Sequence, residues 1–135
     1  MSKYYERAVE LRASVSPHYN CAQSAILPFA EEAGFTEAQV MAFATNFAGG
    51  MKRAGTCGAV TGAMMTLGLF GIEDMQSVKE FYSRFKEAHE GCLECSDLIR
   101  IGMEKGLEKK LHCDILVYES IAILEDMLRA RGKIG

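Results

Sequence analysis

The chain has 135 residues, 49% of them hydrophobic and 24% charged, which predicts one globular domain over residues 1–135 with its own apolar core. The net charge of −3 argues against nucleic acid as the main partner, because such partners require a basic surface. The N-terminal residues contain no apolar stretch typical of a signal peptide, so we expect a cytoplasmic protein whose five cysteines are free, catalytic or metal-bound rather than paired in structural disulfides.

Helical periodicity dominates the first half of the chain. Asn20 is a good N-cap immediately before Cys21, and Thr36 with Gln39 has the spacing of a capping box. Gly34 follows the second periodic stretch, where a glycine commonly ends a helix. The helices predicted here cover, in order, about residues 3–14, 21–32 and 36–48, the last of them ending before Gly49-Gly50.

The second half begins with an uncharged stretch from Ala54 to Ile72. About 20 apolar residues are needed to cross a bilayer, and this stretch is short and diluted by glycines, so we expect a buried central helix and no stable membrane insertion. The remaining predicted helices run from Asp74 to before Gly91, over a short stretch after Cys95, and from Cys113 to Gly132. The predicted fold is an all-α compact bundle of about five to seven helices around that glycine-rich central helix.

Four of the five cysteines are predicted to begin a helix: Cys21, Cys57, Cys95 and Cys113. The first turn of a helix has unpaired N–H groups and the positive end of the macrodipole, and both favour a thiolate. This effect is worth only about 0.3–1 kcal/mol, too little to make a strong thiolate at neutral pH. Reactive thiols here must therefore also converge on each other, on a cation or on a metal.

Two kinds of chemistry fit such a set of cysteines. If four helix ends meet at one end of the bundle, the thiolates can hold an iron–sulfur cluster or another soft metal. His18 and His112 could substitute as ligands or stabilise thiolates, but we favour the simpler interpretation that each is a loop residue at a helix entry. Cys92 and Cys95 form a C-x-x-C, which also suits disulfide exchange but is a weak signal by itself. We favour a metal or cluster slightly, because four thiols exceed what simple exchange requires.

A glycine-rich loop, residues 49–55, leads into Thr56-Cys57. Backbone N–H groups beside Lys52 and Arg53 would suit a bound anion, a cluster or the Cys57 thiolate, whereas a plain tight turn between packed helices explains the glycines equally simply. The candidate cofactor-binding residues are Gly55, Thr56, Gly58 and Gly62.

Several short motifs occur in a characteristic order: Asn20-Cys21-Ala22-Gln23, Cys57-Gly58-Ala59-Val60-Thr61-Gly62, a cysteine at 95 before a Leu-Ile pair, and a cysteine at 113. Together they resemble the redox-active protein family named for its C, CGAxxG, C, C pattern, over nearly the whole chain. The resemblance implies that Cys21, Cys57, Cys95 and Cys113 are the family's four cysteines and that Cys92 is an additional one. It also implies redox activity, and a related helical domain in split-Soret-type cytochromes is associated with an iron–sulfur cluster.

The function expected from the sequence is therefore that of a redox-active protein that uses these four cysteines, either as metal ligands or as a dithiol/disulfide, together with a redox partner protein. The alternative is a non-catalytic helical interaction or sensor module with structural cysteines. In that case we expect a homodimer packed through the face that carries Gly58 and Gly62, since small residues at this spacing allow close packing.

Overall fold

Helices account for most of the computed structural model, which describes residues 2–135. Within these residues there are seven α-helices, one short 3₁₀ turn at Thr45–Phe47 and no β-strand, which confirms the all-α prediction. The helices are α1 (Lys3–Ala13), α2 (Cys21–Ala30), α3 (Glu37–Phe43), α4 (Gly58–Leu69), α5 (Met75–Glu87), α6 (Cys95–Glu104) and α7 (Lys109–Ala130).

The start of α2 is fixed by the chemistry that the sequence predicted. The Gln23 backbone N–H donates to the Asn20 side chain at 2.8 Å, and the Asn20 N–H donates to the Gln23 side chain at 2.9 Å. This capping box satisfies two of the N–H groups that a helix start leaves unpaired. Cys21 is therefore the first residue of α2.

The third helix is shorter than predicted. It ends at Phe43, where Ala44 leaves the helical conformation at φ −100° and ψ 3° and the 3₁₀ turn begins. The Ala44 carbonyl accepts from the Phe47 N–H at 3.2 Å and from the Asn20 side chain at 3.1 Å, and that side chain also lies 3.4 Å from the Thr45 carbonyl. The prediction that this helix reaches residue 48 was wrong.

The central helix, α4, packs tightly on α2. Gly62 lies so close to α2 that a Cβ there would lie 2.6 Å from the Ala22 carbonyl oxygen, and Thr66 donates to the Ala25 carbonyl at 3.1 Å. The glycine-rich helix is buried as predicted, with Gly58, Gly62, Ala63 and Leu67 among its buried residues. Because α2 covers Gly58 and Gly62 within the chain, that face is not free to form a dimer. The homodimer itself stays a prediction.

The last helix begins four residues earlier than predicted. Gly106, in the left-handed conformation at φ +78°, ends α6, and Glu108 is the N-cap of α7. The first turn, Lys109–Leu111, is exposed and includes two lysines, whereas His112 and Leu116 are buried along one face. Cys113 therefore lies in the second turn of α7, and the prediction that it begins the helix was wrong.

A buried histidine joins α6 to α7. The His112 ring is 4% exposed and neither ring nitrogen has a hydrogen-bond partner within residues 2–135. It packs against Gly102, where a Cβ would lie 2.5 Å from the ring. Burial is the main cause that lowers the pKa of His112 below 6.5, and the neighbouring His89 and Lys105 lower it further, although the nearby Leu98 backbone and Glu119 raise it.

This pKa shift predicts a loss of stability on acidification. Below about pH 6.5 the unfolded chain binds a proton at His112 that the folded chain refuses, so the free energy of unfolding falls with decreasing pH by at most about 1.4 kcal/mol per unit. Urea unfolding of the wild type and of His112→Leu, from about pH 7.5 to about pH 5, measures this contribution. The variant should lose part of the pH dependence. Equal pH dependence in wild type and His112→Leu would contradict the prediction.

The uncharged stretch around α4 does not form a membrane-crossing helix. Across residues 2–135, none of the helices combines the length and the apolar character needed to cross a membrane.

Candidate functional site

One cavity brings together the four cysteines that the sequence singled out. Its volume is about 360 Å³, and Cys21, Cys57, Cys95 and Cys113 all line it. Cys92 does not line it; the Cys92 thiol lies 3.8 Å from the Glu90 carbonyl oxygen. All five cysteines are free thiols. The C-x-x-C motif is therefore divided, with only Cys95 facing the cavity.

Cys21 and Cys57 meet because the N-terminal ends of α2 and α4 lie together. A Cβ at Gly58 would lie 3.0 Å from the Cys21 Cβ, so the missing side chain of Gly58 allows this approach. Cys57 is the N-cap residue of α4 and is 4% exposed. Of the predicted cofactor-binding residues, Gly58 lines the cavity and Gly62 lies one turn further along the contact with α2.

Cys57 and Cys95 are held together by their backbones. The Cys57 N–H donates to the Leu93 carbonyl at 2.8 Å, and the Cys95 N–H donates to the Gly55 carbonyl at 2.6 Å. Between them, Thr56 and Glu94 form an isolated antiparallel bridge. Gly55 and Thr56, both predicted to bind a cofactor, thus lie in the segment that ties α4 to α6.

The glycine-rich loop is strained. Gly49, Gly50, Met51 and Lys52 are consecutive left-handed residues, with φ of 58°, 65°, 61° and 59°, and Ala54 is also left-handed. L-residues pay about 1–2 kcal/mol each for this conformation. The missing side chain of Gly50 allows close packing here, since a Cβ at Gly50 would lie 2.8 Å from the Cys95 Cβ.

Only part of this loop borders the cavity. Gly49 and Gly50 line it, whereas the Lys52 ammonium donates to the Asn46 side chain at 2.9 Å on the exposed side. Arg53 is exposed and does not line the cavity. Lys52 and Arg53, the two cations proposed to bind an anion at this loop, therefore lie outside the cavity of the cysteines.

Cys21 is the thiol best suited to ionise. A hydrogen bond from the Cys113 thiol is the main cause that lowers the pKa of Cys21, and the positive charges of Arg12 and Lys110 lower it further, although burial opposes them. The same hydrogen bond, with burial and the Cys21 charge, raises the pKa of Cys113. The opposite pKa shifts therefore favour a thiolate at Cys21 and a protonated thiol at Cys113.

The other two thiols stay protonated beside that thiolate. Burial, together with the charge of Cys21, raises the pKa of Cys57 to about 12, although the Ala59 and Val60 N–H groups lower it. Burial and the same charge also raise the pKa of Cys95, while Lys109 opposes them. One thiolate and three thiols are thus the favoured charge state of the cavity.

Arg12 is the site residue that the sequence analysis missed. It is 6% exposed, its Nε donates to the Asp114 carboxylate at 2.8 Å and its guanidinium donates to the Tyr19 carbonyl at 3.0 Å. The sequence did contain a signal, since Arg12 follows Tyr4 and Ala8 on the buried face of α1. A charged residue on an apolar helix face requires a partner, and here the partners include a thiolate.

The four thiols are chemically suited to bind a soft metal, but they are not arranged to bind one. Thiolates are the preferred ligands of iron–sulfur clusters and soft metals, and four thiols share this cavity. Within residues 2–135, however, no three side chains of His, Cys, Asp or Glu are grouped so that they could hold a metal ion. Within residues 2–135 the side chains as arranged therefore do not form a coordination sphere.

Comparison with known proteins identifies one family. The family model described as "Putative redox-active protein (C_GCAxxG_C_C)" matches residues 19–127, which include all four cavity cysteines. The name places glycine before cysteine in its central element, whereas here Cys57 precedes Gly58. No curated protein and no solved structure matches the chain.

Proposed function

The chain belongs to this family of redox-active proteins, and from that premise we propose that Cys21 and Cys113 are its redox pair, cycling between a dithiol and a disulfide. The carrying observation is that Cys21 and Cys113 line one cavity, and their interaction lowers the pKa of Cys21 while it raises that of Cys113. The thiolate is the attacking species in disulfide exchange, and a nearby thiol is needed to resolve the mixed disulfide that it forms.

Cys57 and Cys95 act in this scheme as supporting thiols. Cys57 is almost fully buried and its pKa is raised to about 12, so it is neither accessible nor ionised at neutral pH. Cys95 is half-buried and also holds its proton more tightly than an ordinary thiol. Both fill the wall of the cavity around Cys21 without competing with it as nucleophiles.

Mapping the disulfide tests this proposal. The reduced protein is equilibrated with an excess of oxidised glutathione, the remaining thiols are alkylated, and the cross-linked peptides are identified by mass spectrometry. We expect one Cys21–Cys113 disulfide, formed equally in Cys92→Ser, which removes the thiol outside the cavity. In Cys113→Ser no intramolecular disulfide should form at Cys21. Recovery of all five cysteines as thiols would reject the redox pair and favour the helical interaction or sensor module.

A second candidate function uses the same residues as ligands of an iron–sulfur cluster or another soft metal. The shared cavity of four thiols supports it, although the thiols would have to approach one another more closely than they do here. Anaerobic purification with metal analysis and visible absorption tests it. A coloured protein with bound iron would replace the dithiol proposal, whereas a colourless, metal-free protein would leave the dithiol in place.

A further inference from the structure

The cysteine cavity is positively charged in a protein that is negatively charged overall. Arg12, Lys109 and Lys110 line it, and no aspartate or glutamate does, although the whole chain carries 18 acidic against 15 basic residues. A cleft lined by one sign of charge concentrates counter-ions far more than an open surface does. The positive charge of this cavity therefore favours negatively charged ligands.

The cations are only partly neutralised by their neighbours. Asp114 accepts from Arg12 at 2.8 Å and from Lys110 at 2.8 and 2.9 Å, so one carboxylate serves two cations. Lys109 has no ion-pair partner within residues 2–135, although it lies close enough to Cys95 to lower the pKa of that thiol. Three cations against one carboxylate leave a charge of +2, and the Cys21 thiolate reduces it to +1.

The nucleophile lies among these cations. Arg12 and Lys110 both stabilise the charge of Cys21, and apolar side chains of Leu98, Ile99 and Leu116 complete the wall. The volume of about 360 Å³ suits a small molecule or one arm of a larger one. An electrophile that enters must react with a thiolate and must fit beside the positive side chains of Arg12, Lys109 and Lys110, which form the rim of the cavity.

We infer that the substrate of this cavity is a small disulfide that carries carboxylate groups. This inference rests on the proposed Cys21–Cys113 pair and specifies what the pair reacts with. Lys109, which has no ion-pair partner of its own, and Lys110 at the rim attract the carboxylates and direct the disulfide bond towards Cys21.

The exchange balances without a further reactant. The Cys21 thiolate attacks one sulfur of the substrate, a Cys21–substrate disulfide forms, the substrate S–S bond breaks, and one substrate thiolate leaves. Cys113 then loses its proton and attacks the Cys21 sulfur, and the second substrate thiolate leaves. One released thiolate takes the Cys113 proton, so two electrons pass from the protein dithiol to the substrate.

Charge reversal at the rim tests the inference with two chromogenic disulfides. Rates of reaction of the reduced protein are measured with dithiobis-nitrobenzoate, which is anionic, and with dithiodipyridine, which is neutral. In Lys109→Glu we expect the rate with the anionic disulfide to fall about tenfold and the rate with the neutral one to stay within about twofold. Added salt should slow only the anionic reaction. The matched control is Lys79→Glu, an exposed change of the same charge on α5, which should alter neither rate.

Each outcome separates this inference from the redox function. Equal effects of Lys109→Glu on the two disulfides would overturn the anionic substrate, while a Cys21–Cys113 disulfide found by mapping would still stand. A selective effect on the anionic disulfide without a Cys21–Cys113 disulfide would support the anionic ligand and reject the redox pair.

Discussion

Replacement of Arg12 by methionine is expected to slow the alkylation of Cys21 by iodoacetamide at neutral pH by about tenfold. The positive charge of Arg12 favours the Cys21 thiolate, and an adjacent opposite charge typically shifts a pKa by about 1–3 units. Without it the pKa of Cys21 rises, and fewer molecules carry the reactive form. Measurement of the rate against pH shows this directly, because the two proteins should converge where both are ionised.

The same substitution should lower the stability of the fold. Arg12 joins α1 to Asp114 of α7, and loss of one partner of a buried ion pair costs about 3–5 kcal/mol. We expect a cost at the lower end of that range, because Lys110 still neutralises Asp114. Urea unfolding measures this loss and defines conditions in which the variant is folded for the alkylation experiment.

Two companion variants separate charge from packing. Arg12→Lys keeps the charge and should restore much of the alkylation rate even if it packs less well. Arg100→Met removes an exposed arginine that pairs with Glu104 on α6, and it should change neither the rate nor the stability by much. If Arg12→Met reacted with the pH dependence of the wild type, Arg12 would have only a structural role.

Local chemistry made the helix starts predictable. The Asn20–Gln23 and Thr36–Gln39 capping boxes both form, and the two side-chain bonds of the second are 3.1 and 2.9 Å long. Such motifs depend on residues three apart, so the sequence contains the whole interaction. The all-α fold and its buried glycine-rich helix were predictable for the same reason, since the periodicity is also local.

Long-range contacts defeated the remaining helix boundaries. At the end of α3, the Ala44 carbonyl accepts from the side chain of Asn20, which belongs to a different segment of the chain. At the start of α7, Gly106 and Glu108 are local signals, but the first turn is exposed, and only the packing of His112 against Gly102 shows which later residues of the helix are buried. Periodicity along the chain therefore detected the buried part of α7 and missed its exposed first turn.

The convergence of the cysteines in one cavity also depends on contacts between distant segments of the chain. Helix-start placement drew attention to Cys21, Cys57 and Cys95, and it holds for these three residues. The pKa of Cys21, however, is lowered by Cys113, which lies in the second turn of α7, and by Arg12 of α1. Because a helix start alone is too weak to form a thiolate, an additional cation or thiol was needed. In the structure Arg12 and Cys113 provide them, from elements far apart in the chain.

Substitution of Gly62 by alanine should destabilise the protein even though alanine is the better helix former. In an exposed helix interior the change would add up to about 1 kcal/mol of stability. Here the new Cβ would lie 2.6 Å from the Ala22 carbonyl oxygen and 2.9 Å from the Ala22 Cα, both backbone atoms that cannot rotate away. Helices α2 and α4 must separate, and such overpacking costs about 1–3 kcal/mol, with a larger cost for Gly62→Val.

Gly68 provides the matched control on the same helix. A Cβ at Gly68 meets nothing within 4 Å, so Gly68→Ala should gain stability by up to about 1 kcal/mol in the same urea unfolding experiment. Opposite signs at Gly62 and Gly68 would show that close approach, not helix propensity, requires the glycine of the Cys57–Gly62 motif. Equal gains at both positions would contradict the tight α2–α4 contact. Because that contact also brings Gly58 against Cys21, Gly62→Ala should disturb the thiol cavity and slow the alkylation of Cys21 as well.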